Sequence, residues 1–195
     1  MFPPFPPPAE LPPPGGAPFI RLAEAKDRDV DGFARHLVEH MAESGRDGAP
    51  HFAPSRRLSR DEIRAAALGR WSRSLDEPLW GRAFLLGAGD KVVGHLELRG
   101  GRIAAEMHRA ALGMGIGSAY TGQGHGRRLL EEAVRWARED AGLSWIDLGV
   151  FAGNERARRL YQKMGFVEQG AREDAFRIDA GVSVTDILMT LDLRG

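Results

Sequence analysis

The chain has no cysteine, which removes disulfides, thiolate metal sites and cysteine nucleophiles together. That composition fits a reducing compartment, and a cytoplasmic setting is expected. It also lacks an excess of either charge, since 27 Lys and Arg are matched by 27 Asp and Glu. A balanced surface gives no bulk attraction to nucleic acid or to an anionic membrane, so neither is expected as a partner. No apolar run is long enough to cross a bilayer. The N-terminus has neither the basic region nor the apolar core of a secretory signal. What is present is 195 residues, 43% hydrophobic and 28% charged, enough for one domain with a proper core.

The proline is concentrated at the start. Residues 1–18, MFPPFPPPAELPPPGGAP, favour polyproline II and cannot enter a sheet interior, because proline fixes φ and lacks an N–H. They read as a disordered tail rather than as a ligand for a proline-recognition module or an oligomer arm. A single domain is expected over residues 19–195.

From Phe19 the sequence FIRLAEA alternates and reads as a strand. A helix follows, capped by Asp27 or Asp31, with Val30, Phe33, Ala34, Leu37, Val38 and Met41 as one buried stripe. A polar loop runs from Glu43 to Pro54, and its Gly45–Ser55 portion is a candidate specificity segment. A second helix starts near Ser59, where Ser59 and Glu62 form a capping box. Trp80 to Leu86 and Lys91 to Arg99 read as a hairpin turned by Gly87, Gly89 and Asp90. A strand then leads into a glycine-rich loop and an amphipathic helix that buries Leu129, Leu130, Ala133, Val134, Trp136 and Ala137. SWIDLGVF reads as a strand covered on both faces. Asn154 to Met164 is a helix ended by Gly165, and two closing strands are joined by a turn at Asp179-Ala180-Gly181. The expected fold is a mixed α/β layer with helices on both faces of one sheet.

Two stretches carry chemistry. In the first, Gly122, Gly124 and Gly126 recur at every second residue just before a helix. Glycine allows close backbone approach, and a helix start offers free N–H groups and the positive end of its dipole, a setting suited to diphosphate. By the residues alone, an ordinary glycine-rich strand-to-helix turn is equally open. The mononucleotide and dinucleotide phosphate fingerprints both fail on spacing, the second because Arg127 stands three residues after Gly124. The second stretch, GNERARRLYQKMGF, is a helix capped by Asn154 with Ala157, Leu160, Tyr161 and Met164 on its apolar face. By this reading Tyr161 is a core aromatic.

Together these stretches resemble the GNAT N-acetyltransferase superfamily. Its acyl-CoA loop is Arg or Gln, two residues, Gly, one residue, then Gly or Ala; the register here is Thr121-Gly122-Gln123-Gly124-His125-Gly126. Thr121 departs from the pattern and removes a long side chain that helps hold the pyrophosphate. In the second signature an Asn starts a helix, and Leu-Tyr is followed by Gly-Phe two residues later. The resemblance implies a mostly antiparallel central sheet with helices on both faces, acetyl-CoA as acyl donor and a primary amine as acceptor. The acetyl group would pass by direct attack in a ternary complex. The resemblance assigns Asn154 a polar contact to pantetheine and Tyr161 the role of general acid, since a phenol can return the proton to a leaving thiolate. It implies that the strand Ala111 to Ile116 splays from its neighbour and leaves amides for pantetheine, with Met114 and Ile116 as candidates. Gly113, Gly115 and Gly117 suit a strand that is approached closely or bulged, or one that simply admits a neighbouring helix. Homodimers are common in the family.

An ammonium acceptor has a pKa near ~10.4 and must lose a proton before it attacks. Glu97 and Glu106 are candidate bases, with His108 sharing a face with Glu106 by strand alternation. Arg127, in the first turn after the loop, is the candidate for phosphate among Arg127, Arg128, Arg158 and Lys163. A rival motif, His36-Leu37-Val38-Glu39-His40, matches the reversed zinc-protease signature. Its Leu37 and Val38 fall on the buried stripe, which turns the histidines to the flank, where the pair lines an acceptor pocket or solvent, and no metal is expected. A non-catalytic acyl-CoA sensor or scaffold is the alternative to an enzyme.

Overall fold

The computed structural model describes residues 17–44, 58–178 and 182–195. The proline-rich start, the loop at 45–57 and the turn at 179–181 lie outside the described residues, so the readings made of them concern that part of the chain. The elements follow as β1 (Phe19–Leu22), α1 (Asp27–Glu43), α2 (Arg60–Trp71), β2 (Gly81–Ala88), β3 (Lys91–Gly100), β4 (Arg109–Ile116), α3 (His125–Glu139), β5 (Trp145–Phe151), α4 (Glu155–Lys163), β6 (Val167–Ile178) and β7 (Val182–Asp192). Short 3₁₀ turns at Ala104–Glu106 and Ser118–Tyr120 flank β4. The seven strands form one sheet in the order β1-β2-β3-β4-β5-β7-β6. Every pairing is antiparallel except β4 with β5.

Two apolar layers sandwich the sheet. On one face Leu96 and Leu98 of β3 and Ile146 and Leu148 of β5 meet Leu129, Leu130 and Trp136 of α3. On the other, Ala83 and Leu85 of β2 meet Val30, Phe33 and Ala34 of α1 and Ile63, Ala67 and Trp71 of α2. Alternation along each strand sends successive side chains to the two layers. The second helix pair therefore covers the face that holds the polar residues of β3.

The capping box of α2 forms as its spacing predicts: Ser59 Oγ accepts from the Glu62 N–H at 3.2 Å, and the Glu62 carboxylate accepts from the Ser59 N–H at 2.8 Å. At α1 the expected cap is not made. The helix follows Lys26 in extended conformation with no side-chain cap, and Asp27 and Asp31 instead receive Arg64 of α2. The buried carboxylate here is Asp29, which accepts from the Glu24 N–H at 2.8 Å and pairs with Arg21 of β1. Long-range ion pairs took the aspartates that a local reading spent on the cap.

The histidines of α1 also depart from expectation. His36 and His40 are buried, while Val38 is exposed. The apolar stripe is Val30, Phe33 and Ala34 with Leu37 and Met41 half-buried, and the histidines continue it at i+3 and i+4 spacing instead of flanking it. β5 is corrected as well. Ile146, Leu148 and Val150 are buried, but Trp145 and Asp147 are half-buried and Gly149 is exposed, so from Trp145 to Gly149 only one face is covered, and the other is covered only at Phe151.

Candidate active site

The parallel pairing of β4 with β5 lasts for three residues, Arg109, Ala111 and the Ala110 between them, opposite Trp145 to Asp147. Beyond that point the strands diverge, and a cleft of about 1500 Å³ opens between them. β4 stays in unbroken register with β3 from Ala110 to Ile116, so the strand is splayed on one side and not bulged. The Gly117 N–H donates to the Val93 carbonyl at 2.9 Å. Because antiparallel N–H groups alternate in direction, Gly115 and Gly113 point the same way as Gly117. The amides of Met114 and Ile116 then face the gap.

At the far end of that gap lies the glycine loop. Gly122 and Gly124 have φ of 80° and 83°, values a side chain disfavours. The first helical bond of α3 is Arg128 N–H to the Gly124 carbonyl at 3.2 Å. Among the described residues no acceptor takes the N–H groups of Gly122, Gln123, Gly124, His125, Gly126 or Arg127. Six unspent donors stand together at the positive end of a helix, a setting that favours negative charge. Gly126 lacks a side chain for a packing reason: a Cβ there would stand 3.1 Å from Leu160 Cδ2 and 3.5 Å from Ile116 Cδ1. Its absence seats the helix start against β4 and α4. Thr121 is exposed and bonds back onto its own turn, its N–H and hydroxyl both donating to the Ser118 carbonyl, and Gln123 Nε2 donates to the Ala119 carbonyl. His125 contributes its backbone to this end and buries its ring.

The second signature forms the opposite wall. Asn154 caps α4, its side chain accepting from the Ala157 N–H at 3.2 Å, and both Asn154 and Tyr161 border the cleft. Tyr161 is 6% exposed, and burial pushes its phenol up to about 12. The phenol is therefore protonated at neutral pH. Arg158 is drawn away from the cleft by Glu168 at 2.8 Å. Its neighbour Arg156 lies over the loop instead, with Nη2 3.4 Å from where a Cβ on Gly122 would be. Among the described residues it has no carboxylate partner. The sequence run ERARR offers three arginines, and only the docking of α4 distinguishes them. Arg127 borders the cleft but is 70% exposed and paired to Glu131 at 2.7 Å.

The floor of the cleft on the α1/α2 side comes from alternation in two adjacent strands. His95, Glu97 and Arg99 of β3 stand beside Gly115, Gly113 and Ala111 of β4. Glu97 is buried and borders the cleft. Its Oε1 accepts from Arg70 Nε and Nη2 at 3.0 and 2.9 Å and from Trp71 Nε1 at 2.9 Å. Its Oε2 is less loaded, with Arg70 at 3.2 Å and Arg99 at 3.9 Å. Gly115 makes room for imidazoles: a Cβ on it would meet His40 Nε2 at 2.6 Å and His95 Cε1 at 2.9 Å. His36 stacks on His40 with 5.8 Å between centroids and meets His95 edge-on at 5.2 Å. Burial lowers His36 to about 4 and His95 well below the usual imidazole range, so both are neutral at pH 7. Ring faces and edges, not converging nitrogens, bring the three together. No group of three or more His, Asp or Glu among the described residues is arranged to hold a metal ion.

Glu106 is not part of this floor. It lies in the 3₁₀ turn before β4, is exposed, and accepts from the Arg102 N–H at 2.9 Å. The expected shared face with His108 fails because strand alternation does not extend through that turn. Of the pair expected to line an acceptor pocket or solvent, His40 does border the cleft, and His95, for which no role was expected, borders it too. The alternation H-L-E-L-R in residues 95–99 was the available signal, since its polar set had to face something other than the α3 core.

Comparison with known proteins fits this geometry. The profile of the acetyltransferase (GNAT) family matches residues 51–166. Among characterised relatives, the N-alpha-acetyltransferase RimI of Mycobacterium tuberculosis is 35% identical over 72 residues, 37% of this chain. The match spans 43% of that protein's length, less than half of it. Among solved structures, a GNAT-family acetyltransferase from Streptococcus pneumoniae is 26% identical and superimposes with a TM-score of 0.72, covering 90% of this chain and 99% of its own. The putative acetyltransferase yncA of Salmonella typhimurium, solved with its cofactor acetyl-CoA, is 18% identical with a TM-score of 0.76, covering 92% and 96%. No helix among the described residues is long and apolar enough to cross a membrane. A profile match over more than half the chain, on a sheet that splits at β4 and β5, places this protein in the acetyltransferase (GNAT) family.

Proposed function

We propose that this protein is an acetyl-CoA-dependent N-acetyltransferase that moves an acetyl group to a primary amine by direct attack in a ternary complex. The observation that carries the reading is the three-residue pairing of β4 with β5. It leaves the Met114 and Ile116 amides facing a gap that runs straight to the six unspent N–H groups at 122–127. A pantetheine arm has the length and hydrogen-bonding groups to join those two sets, with its diphosphate at the loop. Arg156 is the side chain that supplies the charge Thr121 does not. The acetyl-CoA-bound Salmonella structure shares the fold that builds this gap.

In the transfer the amine lone pair forms the C–N bond at the thioester carbonyl carbon, and the C–S bond breaks. A β4 amide polarises the carbonyl oxygen as charge gathers there. Tyr161, kept protonated by burial, donates a hydrogen bond to the departing sulfur and its proton to the thiolate. The amine's proton passes to Glu97 Oε2 on the α1/α2 side of the floor, near His40; Glu106 stands outside the cleft. With no cysteine in the chain, a thiol-linked acyl-enzyme is unavailable.

The test is twofold. Acetyl-CoA at millimolar concentration raises the melting temperature by mass action, and Tyr161→Phe lowers kcat by roughly 100-fold or more with acetyl-CoA affinity unchanged. An acyl-CoA sensor would show the first result and no turnover with any amine. No melting shift would overturn the reading.

A further inference from the structure

The charged side chains around the acceptor half of the cleft are nearly all committed to one another. Glu43 accepts from the Ser118 N–H and hydroxyl at 3.1 and 3.0 Å. Asp147 holds Arg109 and Thr190, each at 2.6 Å, and Asp186 holds Arg172 at 3.0 Å. Glu97 is taken by Arg70 and Trp71. Arg99 differs. Among the described residues it has no hydrogen-bond partner, and its nearest carboxylate is Glu97 at 3.9 Å. Its side chain is 49% exposed, it borders the cleft, and its Nη2 lies 3.5 Å from where a Cβ on Gly113 would be. The row Arg70, Glu97, Arg99 carries one net positive charge, and the neutral imidazoles of His36 and His95 add none.

This guanidinium is not placed for the diphosphate. Arg99 pairs with Ala111, five residues before Ile116, and at about 3.3 Å per residue that puts it roughly 16 Å from the strand end that leads to the glycine loop. It stands at the end where β4 and β5 are still paired, on the face that receives the acceptor. Gly113 and Gly115 are two residues apart on one face, so Arg99 and His40 are separated by roughly 7 Å along the strand. Two hydrogen bonds of about 2.8 Å added to the ~3 Å between the nitrogen and a carboxylate oxygen of an α-amino acid span that interval.

Resting on the transferase reading above, we infer that the acceptor is a small primary amine carrying an anionic group two or three bonds from its nitrogen, such as a free α-amino acid. Arg99 binds the anion, and the amine lies beside Gly113, between Arg99 and the His40 ring that fills the space over Gly115. Planar, bidentate recognition of a carboxylate is what a guanidinium does best. An acceptor whose carboxylate is tied up as an amide, as in a protein N-terminus, forfeits this contact.

The experiment measures thiol release from acetyl-CoA by the full chain with three acceptors: free L-α-amino acids, their carboxamides, and a short peptide with a free N-terminus. The free acids are expected to exceed their carboxamides in kcat/KM by roughly 10- to 100-fold, the range of a charge-assisted hydrogen bond. In Arg99→Gln that preference disappears through a raised KM for the acids, with the carboxamides unchanged, and Arg99→Lys recovers part of it. Carboxamides or peptide used as well as the acids overturn the inference and leave the transferase standing. An equal loss for acids and carboxamides in Arg99→Gln also overturns it, since that marks a structural role. No thiol release with any acceptor, together with no melting shift by acetyl-CoA, removes the transferase reading and this inference with it.

Discussion

Gly115 and His40 share one space: the imidazole Nε2 lies 2.6 Å from where a Cβ on the glycine would be. The strand that borders the gap is therefore bare at Gly115 on its α1/α2 face because a helix side chain fills the volume. Gly115→Ala must push His40 and His95 off their positions, and both are buried. Overpacking of this kind costs typically 1–3 kcal/mol. We expect a loss in that range in urea denaturation and a fall in turnover, with acetyl-CoA affinity much less affected, because the Met114 and Ile116 amides point in the sheet plane towards the gap, away from the helix side of Gly115.

Arg156 and Arg158 are two residues apart, yet one lies over the glycine loop and the other is paired to Glu168. Arg156→Gln is expected to weaken acetyl-CoA binding by roughly tenfold in calorimetry, the scale of one hydrogen bond to a charged group, and the difference should shrink with added salt. Arg158→Gln removes only the contact to Glu168 and should leave affinity at the wild-type value. Equal effects from the two would contradict the placement of Arg156 over the loop.

Buried histidines set an acid limit on the fold. His36 is lowered by burial to about 4, against about 6.5 in an unfolded chain. Between those values the unfolded chain binds a proton that the folded protein excludes. Stability is therefore full above about pH 6.5 and is lost as pH falls towards 4, by up to about 3 kcal/mol from this group. His95 shifts in the same direction and adds to the slope. Urea midpoints measured at pH 7, 5.5 and 4.5 should fall in step, and His36→Gln should flatten part of that fall. A midpoint independent of pH over this range would count against neutral burial.

The order of elements was legible because periodicity and turn residues report it directly. The Ser59 and Glu62 box, Gly165 ending α4, and the hairpin around Gly89 and Asp90 are local events, set by neighbours within a few residues. The misreadings share a different cause. Asp27 and Asp31 were spent on Arg64, which is more than thirty residues away, and no local rule anticipates that. A hydrophobic stripe drawn through Val38 sets His36 and His40 at its flank, facing an acceptor pocket or solvent, whereas the helix buries both rings and packs His40 against Gly115. Apolar periodicity has no term for a polar chamber roofed by helices. Arg156 likewise needed the docking of α4 before it could be told from its neighbours in the run.

The brevity of the β4 and β5 pairing has a mechanical sequel. The sheet is two half-sheets hinged at three residues, and on the proposed reading the donor molecule supplies the missing rung between them. Each catalytic cycle then inserts and withdraws a strut from the enzyme's own framework, so the free protein should breathe along this seam and stiffen across it when the donor is in place.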